Sequence, residues 1–231
     1  QTQCLYQEWS AAQSAWQNKW RDSWTYDDHG NQLTELHENW DGSFMNWQND
    51  YRYTYTYNDQ DILQTEMKEE WSSDQYTWEK SRFYTYQYDD HGNMTGYVMQ
   101  MWDEDTQTWV NFWRSTWEYD DNDVWISSLY QSWDKDAQIW INKMRETRKI
   151  DKQGNWLGSL YETWDKDKGI WENNFRSSYT YTSFGAMQSG LKEDWDYYTQ
   201  QWVNVSRFSY EYDERENLIH TFNEGWIDST W

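Results

Sequence analysis

Proline is missing from this 231-residue chain, cysteine occurs once, at Cys4, and glycine only ten times. A single thiol closes no internal disulfide, so cysteine usage leaves the compartment open. Disordered chains are rich in proline and poor in aromatics; here proline is absent and 21% of residues are aromatic, which argues for order despite a mean hydropathy of -1.30. No stretch approaches the roughly 18 consecutive apolar residues of a membrane-spanning helix. Positive charge is scarce: 19 Lys and Arg stand against 41 Asp and Glu, a formal net charge of -22. That balance repels phosphate backbones and anionic lipid headgroups, and no stretch supplies a compensating basic patch, so neither nucleic acid nor a membrane is an expected partner. The start of the chain lacks a secretory signal, which fits a cytoplasmic chain, a processed one or an excerpt.

What is abundant is Trp, 22 residues, and Tyr, 20 residues. Trp9, Trp40, Trp71, Trp102, Trp133, Trp164, Trp195 and Trp226 recur every 31 residues, and Trp16, Trp47, Trp78, Trp109, Trp140, Trp171 and Trp202 follow them by seven. These fifteen Trp define a single repeat array over residues 1–231, with a partial repeat 1–15 and repeats starting at 16, 47, 78, 109, 140, 171 and 202. With the second Trp as position zero, Asn fills plus two in six repeats (Asn18, Asn49, Asn111, Asn142, Asn173, Asn204) and Arg fills plus five in six (Arg21, Arg52, Arg114, Arg145, Arg176, Arg207). Plus seven is always Ser or Thr, plus eight and plus ten are mostly aromatic, as in Tyr55 and Tyr57, and plus twenty is always apolar, from Leu36 to Phe222.

Rings on even positions from zero to plus ten, with Arg, Ser and Thr on odd ones, predict a strand with one buried aromatic face and one wet face. Turn segments such as Asp27–Asn31, Asp89–Asn93 and the stretch beginning at Asp151 supply Gly and Asn for a tight reversal, and a second strand follows from plus sixteen to plus twenty-four. The expected fold is all-β: tandem 31-residue β-hairpin repeats forming an elongated or wound antiparallel sheet. The alternative is a two-sheet β-solenoid with one repeat per coil, disfavoured because it stacks like charges about 4.8 Å apart. In the hairpin arrangement position i faces 26 minus i, which sets the plus-eight aromatic opposite the small plus-eighteen residue. Leu5–Trp9 repeats the end of a second strand and the chain stops at Trp231 inside a repeat, so the reading is a stretch of a longer array or a subunit whose open ends meet other copies.

Tyr26-Asp27-Asp28-His29-Gly30-Asn31 and the matching Tyr88–Asn93 resemble the YD-repeat motif of Rhs-like proteins, while Asp120, Asp151 and Asp213 keep part of it. The Trp pairs and the longer unit are similar to Trp-rich β-hairpin repeat arrays of large secreted bacterial surface proteins. The resemblance implies an extracellular or cell-surface wound β-sheet. It does not carry over the toxin-enclosing role of Rhs shells, because no toxin or protease segment is present.

Candidate chemistry is sparse. Asp103 and Asp105, Asp134 and Asp136, and Asp165 and Asp167 form Asp-x-Asp pairs that could supply oxygen ligands to calcium, although solvated turn acids are the plainer account. The Arg column is expected to pair with acids on neighbouring strands such as Glu35 or Glu66. His29 and His91 share a slot with Gln60, Asn122 and Gln153 and read as interchangeable turn residues, while His37 and His220 lack a Ser or Cys partner pattern. With no cofactor motif and no unique pocket, an enzyme is not expected. Asn93-Met94-Thr95 and Asn204-Val205-Ser206 fit the N-glycan acceptor pattern. The expected role is an extracellular structural element, a fibre, matrix or adhesin stalk that self-associates end to end. The alternatives are a carbohydrate-binding or adhesive module using exposed Trp and Tyr on surface glycans, and an Rhs-like encapsulating shell segment.

Overall fold

The computed structural model describes residues 2–226 and is all-β. Seven long strands cover positions minus one to plus ten: β2 (Ala15–Tyr26), β4 (Asn46–Tyr57), β6 (Thr77–Tyr88), β8 (Thr108–Tyr119), β10 (Ile139–Ile150), β12 (Ile170–Tyr181) and β14 (Gln201–Tyr212). Shorter strands alternate with them: β1 (Thr2–Ser10), β3 (Gln32–Asp41), β5 (Leu63–Ser72), β7 (Met94–Asp103), β9 (Trp125–Asp134), β11 (Trp156–Asp165), β13 (Met187–Asp196) and β15 (Leu218–Gly225). They follow chain order in a 15-stranded sheet. Two compact units are distinguished, Gln1–Tyr88 with Gly96–Arg114, and Asp89–Thr95 with Ser115–Trp231.

In the first unit each strand from β1 to β6 pairs antiparallel with the next, and in the second the same holds from β9 to β15. The hairpin arrangement is therefore present. The solenoid alternative is corrected: it requires equivalent strands of successive repeats to lie side by side, whereas here two equivalent strands are always separated by one of the other kind.

The register departs from the simple hairpin by one residue. At the turn Tyr26 faces Gln32, as 26 minus i requires, but Leu33 is then bulged out and Thr25 faces Thr34. Plus eight consequently lies opposite plus nineteen, as in Trp24 with Glu35 and Tyr55 with Glu66, and not opposite the small plus-eighteen residue. A second bulge falls at plus three of the long strand, where Asp50 is skipped between Asn49 and Tyr51. An extra residue reverses which side the following side chains take. The single aromatic face is thereby corrected. Trp at zero and the rings at plus four to plus eight lie on opposite faces, and Arg at plus five shares the Trp face.

Both bulges recur, so each hairpin is offset from the one before. Ser23 faces Leu36, which faces Arg52, and in the second unit Ser178 faces Leu191, which faces Arg207. A row across the strands drifts from plus seven to plus five in one repeat, one residue per strand. The same shear per strand tilts the strands of a (β/α)8 barrel by about 36°.

Two turn types alternate. After the long strand, the plus-eleven side chain caps the reversal: Asp27 Oδ1 accepts the backbone N–H groups of His29 and Asn31, at 2.9 and 2.8 Å. Plus fourteen there has positive φ, 92° at Gly30, where an L side chain is strained. After the short strand the plus-twenty-five Asp does the capping, as Asp165 Oδ1 does for Asp167 and Lys168. No apolar side chain other than Met99 is buried among the described residues. Cohesion therefore resides in cross-strand pairs, each contributing on the order of 0.2–1 kcal/mol, repeated along the chain.

Candidate functional site

The most regular chemistry is a ladder on the Trp face. Each plus-twenty-four Trp meets the next repeat's zero Trp edge to face, from Trp40 and Trp47 (5.0 Å between ring centres, 65°) to Trp195 and Trp202 (5.0 Å, 66°). Trp9 with Trp16, Trp71 with Trp78, Trp102 with Trp109, Trp133 with Trp140, and Trp164 with Trp171 repeat the geometry. Direct opposition across a closely spaced antiparallel pair produces it, since Trp40 faces Trp47 in the register.

Arg at plus five then lies over the zero Trp of the following repeat. The guanidinium carbon is 4.6 Å from the ring centre for Arg21 over Trp47, Arg52 over Trp78 and Arg145 over Trp171, and 4.5 Å for Arg176 over Trp202. The same Arg binds the carboxylate at plus twenty-two: Arg21 with Glu38, Arg52 with Glu69, Arg145 with Glu162, Arg176 with Glu193 and Arg207 with Glu224. Arg176 is bidentate, Nε and one terminal nitrogen donating at 2.6 and 2.8 Å. The expected partners Glu35 and Glu66 are corrected to Glu38 and Glu69, because the bulge moves plus nineteen to the other face. Two repeats carry Gln at plus twenty-two: Gln131, with Arg114 at plus five, and Gln100, with Phe83 there. Phe83 replaces Arg and stacks on Trp109 at 5.4 Å, and plus twenty-two becomes Gln100, which donates to Asn111 Oδ1 at 3.0 Å. Gln7 with Asn18 and Gln131 with Asn142 show what the plus-two Asn does.

The opposite face holds tyrosines and is irregular. In the first unit Tyr6, Trp20, His37 and Tyr51 form a run across β1 to β4, with His37 nearly parallel to Tyr51 at 4.7 Å and its Nδ1 2.6 Å from Asp22 Oδ1. Tyr84, Tyr86, Tyr97 and Trp113 cluster further along. Burial pushes the Tyr55 and Tyr86 hydroxyls well above the usual phenol range, and it raises the Glu66 carboxyl, which accepts a hydrogen bond from Tyr86 Oη at 3.1 Å. In the second unit Tyr161 is pushed up to about 12, by burial first and by Glu146 next, and Arg148 packs 3.3 Å over Trp125. The plus-ten tyrosines tie hairpin to hairpin: Tyr57 donates to the Gln32 carbonyl at 3.0 Å, Tyr181 to that of Trp156 at 2.9 Å and Tyr212 to that of Met187 at 2.7 Å.

His29 and His91 are not interchangeable with their counterparts. His29 Nδ1 lies 2.9 Å from Asp61 and His91 Nδ1 2.7 Å from Asp123, the plus-fourteen residue of the next turn, and Asn31 and Asn93 donate to the same carboxylates. These contacts hold both imidazoles above their ordinary pKa. The His-Gly turns at 29 and 91 and the Asp turns at 61 and 123 alternate with a double period of 62 residues, a signal that a search at 31 passes over. His220 stacks on Phe222 at 6.0 Å.

Of the calcium candidates, Asp134 and Asp165 cap their turns and meet Lys166 and Lys168, Asp103 accepts from Thr106, and Asp105, Asp136 and Asp167 sit on exposed tips. No group of three or more His, Cys, Asp or Glu is brought together for a metal among the described residues. Both N-glycan acceptor Asn are half-buried, Asn93 donating to Asp89 and Asp123. A surface groove of about 1010 Å³ runs over the Trp face of the second unit past Arg145, Arg176, Glu193 and Trp202.

Neither a protein-family description nor a curated protein matches the chain in sequence. Solved structures similar to it include a DUF3836-family protein from Parabacteroides distasonis, at 24% identity and TM-score 0.34 over 40% of this chain and 86% of that one. Another is TcdB2–TccC3, at 15% identity and TM-score 0.42 over 97% of this chain and 13% of that one. The Photorhabdus luminescens Tc holotoxin pore is similar at 13% identity and TM-score 0.40, over 97% of this chain and 12% of that one.

Proposed function

We propose that the chain is a structural repeat element of an extracellular fibre, matrix or adhesin stalk. The observation that carries this reading is the sameness of the junctions. Trp on Trp, Arg over the next Trp, and Arg to Glu recur with distances that agree within a few tenths of an ångström from Arg21 to Arg176. A binding or catalytic protein concentrates its unusual geometry at one place, whereas here the same cross-link is made at one junction after another. Such arrays draw stability from nearest-neighbour interfaces, so cohesion scales with the number of repeats.

The Trp lattice serves this role directly. Fourteen of its rings are engaged pairwise, and several also by a guanidinium, which leaves those indole faces little used by ligands. End-to-end association belongs to the same reading, since a strand at the end of the order offers backbone groups for pairing. Electron microscopy of purified protein tests it: filaments or rods of repeating width support the proposal, and compact monodisperse particles overturn it. Fractionation of the producing cells tests the extracellular placement.

A further inference from the structure

The first unit carries apolar side chains where the fold does not use them. Phe44, Met45 and Tyr76 sit on the tips joining β3 to β4 and β5 to β6 and are 76%, 77% and 81% exposed. Neither ring packs on another ring among the described residues. Met45 and Tyr76 occupy plus twenty-nine, the left-handed slot of this turn, with φ of 51° and 54°. Elsewhere that slot holds Ser14, Gln107, Gln138, Gln200 or Gly169. Glycine is at ease there and glutamine keeps the tip wet, so a bulky apolar residue serves neither backbone nor solubility.

The surroundings define the chemistry. Asp41 Oδ1 accepts the backbone N–H groups of Ser43 and Phe44 at 2.8 and 3.2 Å, which fixes the first tip in place. Successive tips are two strands apart, about 10 Å. Residues 41–46 and 72–77 contain Ser43, Asn46, Asp74 and Gln75 but no Lys or Arg. Rings with free faces, flanked by amide and carboxylate groups that exchange hydrogen bonds with hydroxyls, suit a chain of pyranose rings. The absence of cations, on a chain of formal charge -22, disfavours phosphate, uronate or lipid-headgroup ligands.

We propose that Phe44, Met45 and Tyr76 form a stacking platform for an uncharged glycan, two rings serving two segments of one extended saccharide. This site does not rest on the structural role, which stands or falls with microscopy. The test is isothermal titration of the whole chain with cellohexaose, xylohexaose, mannohexaose and chitohexaose, with hexagalacturonate as the anionic comparison. Binding of a neutral hexamer is expected, weakened at least about tenfold by the F44S/Y76G pair and unchanged by Y198A, which removes a fully exposed ring from a tip of the second unit. Tyr76→Gly also relieves the left-handed backbone, so the thermal midpoint is expected to hold or rise while affinity falls, which separates lost contact from lost fold. Failure of all four neutral sugars to bind overturns the proposal, as does preference for hexagalacturonate, equal binding by F44S/Y76G, or an equal loss in Y198A.

Discussion

The two faces of the sheet are made by the same strands yet obey different rules. On the Trp face one constellation recurs with nearly fixed distances. On the tyrosine face neighbouring repeats solve packing separately: His37 on Tyr51 in one place, Tyr97 against Trp113 in another, Arg148 over Trp125 in a third. The difference lies in what each face contacts. A Trp-face residue must fit side chains of two further strands at once, as Arg145 does between Glu162 and Trp171. A tyrosine-face ring rests on neighbours that can rotate.

The same methyl group added at two glycines sharpens this comparison most. At Gly158, with φ of 148°, a Cβ would lie 2.2 Å from the Ser177 carbonyl oxygen, which belongs to the backbone of the next strand. Gly158→Ala is expected to cost about 3 kcal/mol or more in urea unfolding. At Gly190 the obstruction is the Phe208 ring, 2.3 Å away, and the Tyr179 ring. These can turn aside, so Gly190→Ala is expected to cost about 1–2 kcal/mol. Equal costs would remove the distinction between a face fixed by backbone and one fixed by side chains.

Trp171→Ala deletes a half-buried ring that serves both Trp164 and Arg145, and a loss of about 2–3 kcal/mol is expected by the same measurement. Arg176→Met strands the Glu193 carboxylate. Because Arg176 is 42% exposed the loss is discounted for solvent to about 1–2 kcal/mol. The double variant R176F/E193Q, which copies Phe83 and Gln100, is expected to recover most of it, giving a positive coupling in a double-mutant cycle. On the other face Tyr181→Phe removes one hydrogen bond between hairpins, expected to cost about 1 kcal/mol.

The smallest effect is a pH dependence at the turns. His29 and His91 have folded pKa values raised above the ordinary 6.5 by Asp61 and Asp123. Their contribution is therefore full below the unfolded value and lost as pH rises through the raised folded one. Thermal midpoints are expected to decline slightly as pH rises above about 6.5, and the H29Q/H91Q variant to flatten that slope. An unchanged slope would show that the imidazole contacts contribute nothing.

Much of the architecture was legible in the sequence because a 31-residue period without insertions constrains strands, turns and their order together. Seven Trp pairs meet across hairpins, and Arg21, Arg52, Arg145 and Arg176 each lie over the Trp of the next repeat. What stayed hidden was the pair of bulges. Asp50 and Leu33 have no side-chain signature marking them as the skipped residue, and one skipped residue exchanges the faces of all that follow. That is why Arg21 pairs with Glu38 and not Glu35, and why Trp47 and Tyr53 lie on opposite faces. The platform at Phe44 and Tyr76 was obscured for a different reason: in a chain this rich in rings, exposure is visible only in three dimensions.

The two-residue drift between hairpins bears on anything long that touches this surface. Within each unit, strands offset by two residues per repeat carry a row of facing residues obliquely across the strands. A tether or polymer that follows the same side chains must run on the bias, like a thread on a screw. Tension applied along that diagonal divides among many Trp junctions, whereas tension across the strands opens them one at a time.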